Sequence, residues 1–98
     1  MKRLLALFSF GACVAFTTAA DFEAPVRLSV DGKFIRVESP GYACPCLYDI
    51  DGDGKKDLIV GQFNKGKMMV YKGNGKGGFA SGSWIQADGK VAEVPGVW

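Results

Sequence analysis

Histidine is absent from all 98 positions of the chain. Its absence excludes histidine-dependent nucleophilic and acid–base catalysis and removes the commonest ligand of zinc and haem sites. Long apolar runs are scarce as well. Residues 4–16 form the one extended stretch, and it is shorter than the roughly 20 residues a membrane-spanning helix needs. Cysteine occurs three times and proline four times. There is no phosphate-binding loop: the glycine-rich string Gly73-Asn74-Gly75-Lys76-Gly77-Gly78 lacks the required pattern and leads into no helix.

The first twenty residues have the order of a secretory signal peptide. Lys2 and Arg3 are followed by the apolar run and then by Thr18-Ala19-Ala20, small residues suited to cleavage before Asp21. A lipoprotein box at Phe10-Gly11-Ala12-Cys13 is the weaker reading, because Phe10 stands where leucine is preferred and the apolar run continues past Cys13. Removal of residues 1–20 leaves ten basic and ten acidic residues. A near-neutral chain with scattered lysines argues against nucleic acid as a partner. The expected location is secreted or periplasmic, with no membrane attachment after cleavage.

What the chain has in abundance is glycine, 14 in all and 13 of them after residue 20, which points to short strands and many turns. Val26-Arg27-Leu28-Ser29-Val30, the turn pair Asp31-Gly32 and Phe34-Ile35-Arg36-Val37 read as a hairpin. Pro40-Gly41 ends it. A compact apolar segment follows over residues 42–48, where Pro45 favours an edge strand. Further strands are expected over residues 58–63, 67–72 and between Phe79 and Gln86. Asp31-Gly32-Lys33 recurs as Asp88-Gly89-Lys90 and Pro40-Gly41 as Pro95-Gly96, spacings of 57 and 55 residues that suggest a repeat. A period of about 55 residues with four short strands fits a propeller blade or a related stacked β array.

The chemistry is concentrated in Asp49-Ile50-Asp51-Gly52-Asp53-Gly54-Lys55-Lys56-Asp57. Calcium takes six to eight hard oxygen ligands in an irregular cage. The spacing assigns it the carboxylates of Asp49, Asp51, Asp53 and Asp57 and the backbone carbonyl of Lys55, with Gly54 at the sharp turn. Without a cation the four carboxylates repel one another, so folding and ion binding should be linked. A helix-loop-helix site is disfavoured, because its twelfth position is Val60 rather than a bidentate glutamate and Leu58-Ile59-Val60 is strand-like. A solvated acidic turn is the plainer alternative, but such turns rarely combine this many acids with both glycines.

The segment from Tyr48 through the acidic loop to Leu58-Ile59-Val60-Gly61 resembles the FG-GAP or VCBS-type repeat, the calcium-loop blade of integrin-like β-propellers. The likeness covers residues 40–79. It implies that the loop joins neighbouring strands of a blade and holds calcium, while adhesion, carbohydrate processing or assembly is performed elsewhere in a larger protein. The chain departs from the pattern in holding about one repeat and in carrying Cys44-Pro45-Cys46.

The resulting expectation is an all-β chain. A signal peptide at 1–20 precedes a hairpin at 21–39 from the tail of one repeat. A four-stranded antiparallel blade with the calcium loop occupies 40–87, and the start of a following repeat occupies 88–98. Its expected role is non-enzymatic, structural or interactive. The partners are neighbouring β-repeats in cis or trans, with a protein or carbohydrate ligand also compatible. The alternative is an accessory segment of an extracellular polysaccharide-acting enzyme. Cys44 and Cys46 project to one face of a strand; burial, disulfides to cysteines in other segments and a redox pair all stay open, with a structural role favoured. Tyr42, Tyr48, Phe63, Tyr71, Phe79 and Trp84 fit core packing better than a sugar platform.

Overall fold

The computed structural model describes Gly11 and residues 21–96, so the signal-peptide reading and its lipoprotein rival lie outside the described residues. The described chain is all-β, with eight short strands in three antiparallel sheets. Strands β1 (Ser29–Val30) and β2 (Lys33–Phe34) form the first hairpin. The central sheet has the order β3 (Cys44–Tyr48), β4 (Asp57–Gly61), β5 (Met68–Tyr71) and β6 (Ser83–Trp84). A second hairpin joins β7 (Gln86–Ala87) to β8 (Lys90–Val91). Among the described residues no helix is long and apolar enough to cross a membrane.

Alternation along β4 decides which face of the central sheet is the core. Leu58 and Val60 are buried, and the register sets them opposite Tyr71 and Met69 of β5 and opposite Leu47 and Pro45 of β3. Val30, Ile35, Val37, Met69 and Phe79 pack against the cluster of Leu58, Val60 and Tyr71. The first hairpin therefore covers this face, as an isolated sheet requires if it is to be stable in water. Pro45 sits in β3, an edge strand, where its missing N–H costs least.

Gly82 allows the core to close. A Cβ there would fall 2.6 Å from Cε1 of Tyr71 and 2.9 Å from Cγ of Met69. The bare backbone of residue 82 thus lies directly on the Tyr71 ring, holding the β6 end of the sheet against the core.

The chain leading into β3 is tied to the β4–β5 turn by a polar lock. Gln62 is buried; its Nε2 donates to Glu38 Oε2 at 2.6 Å and its Oε1 accepts from Glu38 N at 3.1 Å. The Lys67 ammonium pairs with Glu38 at 2.5 Å and sits 4.6 Å from the Trp84 ring centroid. A buried amide with both ends satisfied fixes how the chain leaves the first hairpin.

The two Asp-Gly-Lys strings adopt the same turn. Asp31 and Gly32 have φ of 49° and 74°, and Asp88 and Gly89 have 51° and 74°, the two positive values that a twisted two-residue hairpin loop demands. The next rung is equivalent too: Ile35 N donates to Leu28 O at 3.0 Å and Ala92 N to Ile85 O at 2.8 Å. Their surroundings differ. The first hairpin lies on the core, whereas Val91 and Val94 beside the second are exposed.

Leu58→Ala should lower the unfolding free energy by about 2–5 kcal/mol, a large share of a small domain's stability, as measured by urea denaturation. The pairing with Lys67, aided by Gln62, lowers the Glu38 pKa from its ordinary 4.5. The contribution of Glu38 is therefore complete above pH 4.5 and is lost as pH falls through the lowered value. Glu38→Gln should flatten that acid limb of melting temperature against pH while leaving its slope between pH 6 and 8 unchanged.

Candidate metal centre

The acidic loop connects β3 to β4, so its two ends are held by a hydrogen-bonded strand pair in which Tyr48 faces Asp57. Gly52 and Gly54 turn it with φ of 75° and 83°, values that carry a steric cost for residues with a Cβ. The resulting bend wraps backbone donors around Asp49. Its Oδ1 accepts from Gly52 N at 2.8 Å and Asp53 N at 3.1 Å, and its Oδ2 accepts from Gly54 N at 2.8 Å. Asp51 Oδ1 accepts from Asp53 N at 3.2 Å, and Asp53 Oδ1 from Lys55 N at 2.8 Å. Each aspartate thus orders the turn that follows it.

Three of the expected ligands converge. Asp49, Asp51 and Asp57 each bring a carboxylate oxygen into a group whose members all lie within 4.8 Å of one another. Asp53 stands outside this group, its Oδ1 engaged with the Lys55 amide. Lys55 joins the loop through that N–H. The three-carboxylate group could hold a metal ion; its hard oxygen donors and lack of nitrogen or sulfur suit a cation of the calcium or magnesium kind.

Asp57 anchors the group. It is fully buried as the first residue of β4. Its Oδ1 accepts from Gly73 N at 2.9 Å, and its Oδ2 accepts from Lys72 Nζ at 2.9 Å and Ile50 N at 3.2 Å. Lys72 also pairs with Asp51. The Gly73 amide and the Lys72 ammonium hold the Asp57 carboxyl below the usual range, and Lys72 does the same for Asp51. The two carboxylates in turn push the Lys72 pKa up. A protein ammonium thereby offsets part of the repulsion among the carboxylates.

In comparisons with known protein families, curated proteins and solved structures, nothing matches this chain. The site therefore rests on its own geometry.

Lys72 and Gly73 were not among the residues the spacing of the loop selects. The signal was nonetheless in the ladder. Leu58 faces Tyr71, so extending the β4–β5 pairing by one rung brings Asp57 to Lys72. Gly73 answers a steric demand as well: a Cβ there would collide with the carbonyl oxygen of Lys56 and lie 3.0 Å from its carbonyl carbon.

The cysteines are exposed rather than buried, and the aromatics divide between core and surface. Cys44 and Cys46 are free thiols and both are exposed, as is every residue of edge strand β3. Tyr71 is buried and Phe79 packs on the core, as expected for aromatics at strand spacing, but Tyr42 and Tyr48 are largely exposed.

Gly73→Ala should cost about 1–3 kcal/mol by overpacking and should expose the amide of residue 73 to hydrogen exchange. Asp57→Ala should lower the melting temperature more than Asp53→Ala. The first leaves two backbone N–H groups and an ammonium without their acceptor; the second releases one exposed turn. Thermal melts of the two variants side by side check the order.

Proposed function

We propose that the chain is a secreted, calcium-binding β-repeat of the FG-GAP/VCBS type whose acidic loop staples a blade. Its role is structural or interactive rather than catalytic. The observation that carries the reading is the convergence of Asp49, Asp51 and Asp57 within 4.8 Å at a strand-to-strand turn. Calcium accepts irregular oxygen cages, whereas magnesium demands near-ideal octahedral geometry and gives up water reluctantly. A loop bent by two glycines and anchored at one end by a buried carboxylate favours the larger ion.

The repeat reading is supported by the equivalence of the two hairpins. They share turn dihedrals, register and the next hydrogen bond across a spacing of 57 residues. A single four-stranded sheet with one face covered is a poor globule, and stacked repeats bury such faces against one another. The partners on this reading are neighbouring β-repeats in cis or trans.

Calcium would tie Asp49 and Asp51 in the loop to Asp57 at the head of β4. Extracellular calcium modules commonly bind at about 10⁻⁴ to 10⁻³ M, and at a free concentration 100 times the dissociation constant the ion stabilises by about 2.7 kcal/mol. Isothermal titration of the full chain should give one calcium site, a calcium-dependent rise in melting temperature and a weaker response to magnesium. Asp51→Ala should weaken binding strongly while leaving the sheet's circular dichroism intact. No heat and no melting shift in the wild type would contradict the proposal.

A further inference from the structure

The face of the central sheet opposite the first hairpin carries three sulfur-bearing side chains, two on β3 and one on β5. Cys44 and Cys46 lie two residues apart on edge strand β3, and both are exposed free thiols. The register sets Cys44 opposite Gly61, and Gly61 opposite Met68 of β5. Cys44, Gly61 and Met68 thus form one row across three strands, with Cys46 in the adjacent row. Gly61 leaves the middle of the row bare. A Cβ built there would meet the Cys44 Cβ at 3.7 Å and the Met68 Cγ at 4.0 Å, so both sulfur-bearing side chains border the space that the missing side chain leaves.

We propose that Cys44, Cys46 and Met68 form a binding site for a soft monovalent cation, with Cu(I) as the ion whose chemistry they match. This site is separate from the acidic loop and does not rest on the calcium reading. Thiolate and thioether donors select soft ions such as Cu(I), while carboxylates select hard ones. The flanking positions on this face, Ile59 opposite Cys46 and Val70 opposite Ile59, offer no oxygen or nitrogen ligand. Asp57 is on the same face but farther along β4, engaged by Lys72, Gly73 and Ile50.

The spacing favours an ion over a disulfide. Residues two apart on a strand have Cα atoms about 6.6 Å apart, close to the upper end of the roughly 4.4–6.8 Å range of disulfides, and their Cβ bonds run parallel instead of converging. An intervening ion relaxes the requirement: with metal–sulfur bonds of about 2.3 Å, as for zinc thiolates, the two sulfurs stand as much as about 4.6 Å apart. Binding exchanges two thiol protons for one cation and leaves both cysteines as thiolates. Met68 adds a neutral third donor from the far side of Gly61, with no change in redox state at any step.

The test is an anaerobic titration of the reduced full chain with Cu(I) in competition with a chromophoric Cu(I) chelator. The expected result is one ion per chain and a first shell of sulfur alone by X-ray absorption. Cys44→Ser/Cys46→Ser should abolish the site, and Met68→Leu should weaken it about tenfold, the scale of tuning by supporting groups at metal sites. Gly61→Val should weaken it by filling the gap, while Asp51→Asn should leave it unchanged. If the double variant fails to fold, iodoacetamide alkylation of the folded wild type replaces it and should likewise abolish binding. The proposal is overturned if wild type binds no Cu(I), if the thiol-blocked protein binds as tightly as wild type, if Met68→Leu has no effect, or if the shell contains oxygen or nitrogen donors.

Discussion

The buried carboxylate of Asp57 is the constraint on which the acidic half of the fold depends. It takes the N–H of Ile50 from the start of the loop, the N–H of Gly73 from beyond β5 and the ammonium of Lys72. These groups come from two separate stretches of chain, the start of the loop and the Lys72-Gly73 pair, and water cannot replace the acceptor at a position with no exposure. One side chain therefore fixes the exit of the loop, the end of the β4–β5 ladder and the take-off of the glycine-rich crossover. Asp49 and Asp51 complete an oxygen cluster because Asp57 is already held in place.

The opposite end of the sheet is organised on the same principle with different groups. Glu38, Gln62 and Lys67 form a closed polar set that binds the chain leaving the first hairpin to the β4–β5 turn. Between the two locks lies a small apolar core of Leu58, Val60 and Tyr71 under the first hairpin. A core this small contributes limited stability. The polar locks at either end therefore carry an unusual share of the fold's specificity, and an ion in the acidic loop would reinforce one of them.

Local signals made much of this legible in sequence. Two-residue Asp-Gly turns, alternation along residues 58–60 and the edge preference of Pro45 each act within a few residues, and each corresponds to an observed element. The acidic loop was legible for the same reason, since its turns are closed by aspartates two to five residues from the amides they accept. Lys72 and Gly73 were not, because their bonds to Asp57 span 15 and 16 residues and depend on strand register. The Glu38–Gln62 lock spans 24. Exposure of Cys44 and Cys46 was equally hidden: composition makes cysteine a core residue, and the edge position of β3, exposed along its whole length, decides otherwise.

The central claim is that the loop carboxylates and the sheet behave as one unit through Asp57, and that a calcium ion tightens that unit. Amide hydrogen exchange of the full chain, with and without calcium, tests it most directly. The account predicts that calcium slows exchange together at Ile50, Gly52, Gly54 and Gly73, the amides bonded to Asp49 and Asp57, and that Asp57→Asn uncouples Gly73 from the loop. Exchange at these amides that is indifferent to calcium, or a calcium effect confined to sites away from Asp49, Asp51 and Asp57, would contradict it.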